Sequence, residues 1–120
     1  MTPRLLMLAA AVVAITSAAP AQAGRDRVSG TWEPVGGTCG GDDHVTFARD
    51  GTYSAYAESG TWRLRGSRLE TVILRRGEPG DAMREAKPPE REEAVVLSLS
   101  AGTMAVRATG GSVRRLHRCR

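Results

Sequence analysis

The chain predicts an all-β fold, a small antiparallel meander of about eight short strands closing into a barrel or barrel-like sandwich. Three observations carry that expectation. Short runs of alternating apolar and polar residues recur from Ser29 to the C-terminus. Two- or three-residue turns rich in Gly, Asp and Ser separate them, and loops that short force neighbouring strands antiparallel. The part that reads as a folded domain holds under a hundred residues and two cysteines, the pattern of a small exported domain tied by a covalent staple.

What precedes the strands reads as a cleavable signal peptide over 1–23. Arg4 supplies the positive charge, Leu5 to Ile15 is an uncharged apolar run, and a small-residue stretch closes on Ala21-Gln22-Ala23. The run is shorter than the roughly 20 apolar residues a spanning helix needs. The expected product is a secreted or periplasmic chain, 24–120, with no transmembrane segment. No cysteine directly follows the cleavage point, so a lipid anchor is not expected.

Ser29 to Glu33 is the first candidate strand, stopped by Pro34. Val35 to Asp43 is loop, with Gly-Gly pairs on both sides of Cys39. His44 to Ala48 places Val45 and Phe47 on one face, and Asp50-Gly51 is a hairpin turn leading into Thr52 to Ala57. Glu58-Ser59-Gly60 reads as the next turn. Thr61 to Arg65 alternates cleanly, with Trp62 and Leu64 inward; Gly66-Ser67 turns, and Arg68 to Arg75 follows. The stretch 76–93, with three prolines or glycines and then a proline pair among Glu and Arg, reads as a charged, Pro-rich loop with at most a short helical turn at Asp81 to Lys87. Strands resume at Ala94 to Ser100, with Val95, Leu97 and Leu99 sharing a face. Thr103 to Ala108, with Met104 and Val106 inward, and Val113 to Cys119 complete the set. In the last strand Arg114, Leu116 and Arg118 share one face and Val113, His117 and Cys119 the other.

Every aromatic residue lies between Trp32 and Trp62, so the first hairpins supply the bulky core and the later strands only aliphatics. Trp32, Trp62 and Tyr56 are the candidate core or ligand-contacting residues. Eight short strands of five to seven residues enclose little beyond their own side chains, so a roomy cavity is not expected.

Cys39 and Cys119 are the only cysteines, and an oxidising compartment favours a disulfide between them. The competing arrangement, a metal held by Cys39 with Asp42, Asp43 and His44, matches no established ligand spacing, so no metal and no cofactor is expected. Loss of Arg4 with the leader leaves sixteen basic against thirteen acidic residues, a formal +3. Lys87 is the sole lysine. Arg114, Arg115 and Arg118, with Arg120, form the candidate anion-binding group, because guanidinium suits bidentate contacts to phosphate or carboxylate. Export argues against nucleic acid as partner. No nucleophile elbow, phosphate loop or zinc-protease motif occurs, and Asp42 and Asp43 alternate across a strand rather than acting jointly on His44, so catalysis is not expected.

Gly30-x-Trp32 near the start of the domain, followed by a meander, resembles the opening signature of lipocalin-type (calycin) barrels. Phe47-x-x-Asp50-Gly51-Thr52-Tyr53 and Gly60-Thr61-Trp62-x-Leu64-x-Gly66-x-x-Leu69 are similar to small exported bacterial lipocalin-like domains of unassigned function. The resemblance implies a Trp plugging one barrel end with an Arg from the last strand, Arg114, Arg115 or Arg118, packed across it. It implies a monomeric, non-catalytic binding module for a lipid, glycolipid or envelope partner. A structural or envelope-stress accessory role is the alternative, as is kinship with periplasmic lysozyme inhibitors. Ser59-Gly60 is slightly similar to the inhibitory loop of those inhibitors, although a basic chain would repel a basic lysozyme.

Overall fold

A computed structural model describes residues 18–78 and 80–120. Eight antiparallel strands close in sequence order into a barrel: β1 Gly30–Pro34, β2 Val45–Phe47, β3 Thr52–Ala55, β4 Glu58–Arg65, β5 Arg68–Arg76, β6 Arg84–Leu99, β7 Thr103–Ala108 and β8 Val113–Cys119. Pairing of β1 with β8, from Thr31↔Cys119 to Pro34↔Leu116, shuts the wall. Closure removes the free edges that an open meander would leave.

One helix, α1 Ala18–Val28, precedes the strands. Most of the expected leader lies outside the described residues, and α1 runs through the expected cleavage point. Its C-terminal turn is held by Ser29, whose backbone N–H and hydroxyl both donate to the Arg25 carbonyl at 3.0 and 2.9 Å. Arg25 and Arg27 in that turn also suit the negative end of the helix dipole. No helix among the described residues is long and apolar enough to cross a membrane.

The core is Val28, Trp32, Phe47, Tyr53, Trp62, Leu69, Ile73, Met104 and Leu116. Phe47 packs on Tyr53 at 5.7 Å and edge-on to Trp62 at 5.4 Å between ring centroids. These separations are those of favourable aromatic pairs. Both indoles keep a polar partner: Trp32 Nε1 donates to the Val28 carbonyl at 2.8 Å and Trp62 Nε1 to that of Ala48 at 2.7 Å.

Three expectations need correction. The turn between β3 and β4 is Tyr56-Ala57, with Ala57 at φ 58°, and Glu58-Ser59-Gly60 already belongs to β4. A bulge at Ser59/Gly60 lets the β4 backbone approach Val72 so closely that a side chain at Gly60 would collide with its carbonyl. The stretch 76–93 is not a loop throughout. β5 extends to Arg76, and β6 begins at Arg84, its charged half laddered onto β5 from Arg76↔Arg84 to Arg68↔Val95. The ladder omits 86–89, so Pro88 and Pro89, which have no N–H to give, sit where no pairing is asked of them. No helix forms at 81–87. Finally, Val95 and Leu97 face outward, 43% and 45% exposed, whereas Ala94 and Val96 face in. Ala94 is registered opposite Leu69, which fixes the parity, and a bulge between Val96 and Ser98 returns Leu99 to the interior side.

Candidate functional site

The barrel has a stoppered end and an open end. At the stoppered end the Arg118 guanidinium lies 4.3 Å from the Trp32 ring centroid. It donates to three carbonyls, from Nε to Ala101 at 2.8 Å, from Nη1 to Ser29 at 2.5 Å and from Nη2 to Arg27. One side chain thus joins α1, β1, the β6–β7 turn and β8. Gly30 is required beneath it: its φ is 134°, and a Cβ there would overlap Arg118 Nη1. Arg25 repeats the device more loosely, 5.5 Å from the Trp62 centroid and donating to the Arg49 carbonyl at 3.1 Å. Arg118, among the three candidate arginines, is therefore the one packed across the Trp, and it is engaged in closure rather than presented to an anion.

At the open end lies a cavity of about 510 Å³ lined by Val45, Phe47, Leu69, Met104, Val106 and Leu116, with Tyr53 and Thr71 as polar points in its wall. The cavity overturns the expectation that these strands leave no room. The reason is distribution. Aromatic bulk from β1 to β4 fills one part of the barrel, while Ala94, Val96, Val106 and Leu116 on the later strands are too small to fill the rest. Arg91, Glu92, Glu93 and Arg114 belong to the same lining.

The charges around this mouth are not equivalent. Arg76 bridges Glu58 at 3.1 Å, Glu90 at 2.7 Å and Glu92 at 4.0 Å, and Glu93 lies 3.9 Å from Arg68. Tyr53 donates its hydroxyl to Glu58 at 2.6 Å. Burial pushes the Tyr53 pKa far up, and the Glu58 carboxylate reinforces the shift, so the phenol stays protonated. Arg91 and Arg114 carry no ion pair among the described residues, although the acidic side chains beside them are engaged. The cavity therefore joins an apolar body to the uncommitted Arg114, which shares the inward face with Leu116, whereas Arg91, registered opposite outward-facing Val72, stands on the outer face of β6.

The other candidates are dispersed. Trp32 and Trp62 are 0% and 4% exposed and belong to the core, outside the cavity lining; Tyr56 is 52% exposed on the β3–β4 turn. Arg114 and Arg115 are adjacent on β8, so only Arg114, sharing the inward face with Leu116, reaches the mouth. Ser59-Gly60 is held inside β4 and is not a projecting loop. Asp42 and Asp43 are exposed, and His44 Nδ1 lies 2.7 Å from the Gly41 carbonyl. The stretch that holds Arg91 read as loop; counted back along β6 from inward-facing Ala94, Glu92 faces in and Arg91 out.

Cys39 and Cys119 are joined by a disulfide, with Cα atoms 5.6 Å apart. It pins the β1–β2 loop against the outer face of β1 and β8. Such a bond in a small barrel fits an oxidising compartment outside the cytoplasm.

No protein-family model, curated protein or solved structure matches the chain, so the assignment of this cavity rests on its own geometry.

Proposed function

We propose that this chain is an exported, lipocalin-like binding module that holds a small anionic amphiphile, apolar tail in the barrel and head at Arg114. The single observation behind this reading is the pairing of a sizeable apolar cavity with an uncommitted arginine, Arg114, on its inward face. A volume of about 510 Å³ is in the range of small-molecule sites, which are mostly apolar with a few convergent polar groups. The resemblance of Gly30-x-Trp32 and its Arg118 partner to lipocalin-type barrels supports the same reading. Nothing in the lining supplies a nucleophile paired with a base, which favours holding a ligand over transforming it.

Calorimetric titration with dodecanoate, dodecanol and dodecyltrimethylammonium tests it. Dodecanoate should bind, the alcohol more weakly and the cation least. Arg114→Ala should weaken dodecanoate by about 10-fold or more, the usual cost of a lost charged hydrogen bond. Val106→Phe, which fills the cavity from β7, should abolish binding of all three. Absence of heat with every amphiphile, or equal affinity for the anion and the cation, would sink the proposal.

A further inference from the structure

A second group of chemically capable side chains lies on the outside of the barrel, under the β1–β2 loop. Glu33 and His117 are direct cross-strand partners of β1 and β8, and Cys119 follows His117 by two residues on the same face. The loop delivers Cys39 to them. One potential ligand atom from each of Glu33, Cys39, His117 and Cys119 lies within 4.8 Å of all the others. His117 Nε2 is 3.6 Å from Cys39 Sγ.

Glu33 is the anomaly that gives this cluster meaning. It is only 2% exposed although it points away from the core, because the glycine loop lies over it. A Cβ at Gly37 would come within 2.7 Å of its carboxylate. Its polar neighbour is Cys119 Sγ, 3.8 Å from Oε2. A disulfide sulfur has no proton to donate, so a buried carboxylate is aimed at a group that cannot satisfy it in the bridged form. An outward position on β1 gains nothing from an acid buried beside sulfur, unless another state of the cluster uses it.

We propose that opening the disulfide converts these four residues into a tetrahedral zinc site, with two thiolates, the His117 imidazole and the Glu33 carboxylate as ligands. Cys, His and carboxylate are the zinc-binding side chains, and ligand atoms around tetrahedral zinc lie roughly 3.5–3.8 Å apart by the usual bond lengths. The present spread of 4.8 Å needs only modest contraction. The two sulfurs must instead move apart, and the loop can supply that movement. Gly36, at φ 94°, and Gly40 have no neighbour within 4 Å of a Cβ position, so the chain around Cys39 has room to shift.

The chemistry balances with a dithiol reductant. Its thiolate attacks Cys39 Sγ, the more exposed sulfur, and the Cys39–Cys119 bond breaks, with Cys119 leaving and taking up a proton. The second thiol of the reductant resolves the mixed disulfide, becoming a cyclic disulfide and releasing Cys39 as a thiol. Two electrons and two protons have then moved from the reductant to the protein. Zinc binding expels both thiol protons to solvent, leaving two thiolates on the metal.

The test uses the purified chain, with cobalt(II) as a visible stand-in for zinc. The reduced protein should bind one equivalent, with thiolate-to-metal charge-transfer absorption, and zinc should displace it. The oxidised protein should show no such band. Glu33→Gln and His117→Asn should each weaken the metal by about 10–100-fold or more, given that even supporting partners of ligands cost that much. Asp42→Asn with Asp43→Asn should leave affinity unchanged. The oxidised form of each variant keeps its bridge, and its near-UV spectrum checks the fold. As a second readout, zinc should raise the melting temperature of the reduced wild-type chain. A reduced protein that takes up no cobalt, shows no thermal response to zinc, or binds equally well without Glu33 and His117 would overturn the proposal.

Discussion

Arg118 does more for this fold than any other single side chain, because its contacts span three parts of the chain distant in sequence. Hydrogen bonds to a charged group contribute about 1.5–3 kcal/mol each, and an arginine over an indole about 0.5–2 kcal/mol. These are not additive, so Arg118→Ala should cost about 3–5 kcal/mol in urea unfolding. Arg118→Lys should recover less than half, since an ammonium cannot spread three donors across an indole. Tyr53 gives a pH prediction with a definite sign. Its folded pKa is raised above the ordinary 10.0, so its contribution is intact below pH 10 and declines as the pH climbs beyond it. Tyr53→Phe should flatten the alkaline limb of the stability curve, read by thermal unfolding at stepped pH. The sequence pointed to an Arg across Trp32 without deciding which of three. Only the wall-closing register, with Trp32 opposite Arg118, settles that.

Among the elements, the β2–β3 hairpin and β6 show why some were legible and others not. The Asp50-Gly51 turn carries its own chemistry. The Asp50 carboxylate accepts from the Thr52 hydroxyl at 2.7 Å and the Thr52 N–H at 2.9 Å, and the Thr52 hydroxyl bond is the main cause of its lowered pKa. Its contribution is present above the ordinary carboxylate range and is lost as the pH falls through the lowered value. Asp50→Ala should therefore remove part of the acid sensitivity, measured as the drop in melting temperature between neutral and acidic buffer. Such local signals can be read from sequence. β6 cannot, because its first half is strand only through β5: Arg76 gathers Glu58, Glu90 and Glu92, and the prolines fall where the ladder is interrupted. Composition argued for loop, and tertiary pairing prevailed. The expected signature in hydrogen exchange is slow amides at Ala94 and Val95, which are paired to both β5 and β7, and faster ones at 84–92, which have β5 alone.

For the molecule as a unit, the bridge between Cys39 and Cys119 closes a span of 80 residues. Chain entropy alone makes that worth about 4–5 kcal/mol. Reduction should lower the urea midpoint and steepen the denaturant slope, because the unlinked denatured chain exposes more surface. The two-cysteine count, the turn spacing and the antiparallel order all foretold a closed meander, because each depends on local sequence. The cavity was not foretold. It depends on how residues of different bulk are apportioned around the ring, and on bulges that reset facing in β5 and β6. Neither quantity is visible along a line of letters.

The upper half of β6 has a further consequence for the chain in solution. At 84–85 and 90–92 it is laddered to β5 alone, so its other flank offers unclaimed peptide groups beside the mouth. Charged side chains of both signs from Arg84 to Glu92, with Pro88 and Pro89 lacking an N–H, blunt this rim as a template. Glu90→Gln with Glu92→Gln should therefore bring on fibrous self-association at neutral pH, followed by dye fluorescence, in conditions where the parent chain stays clear.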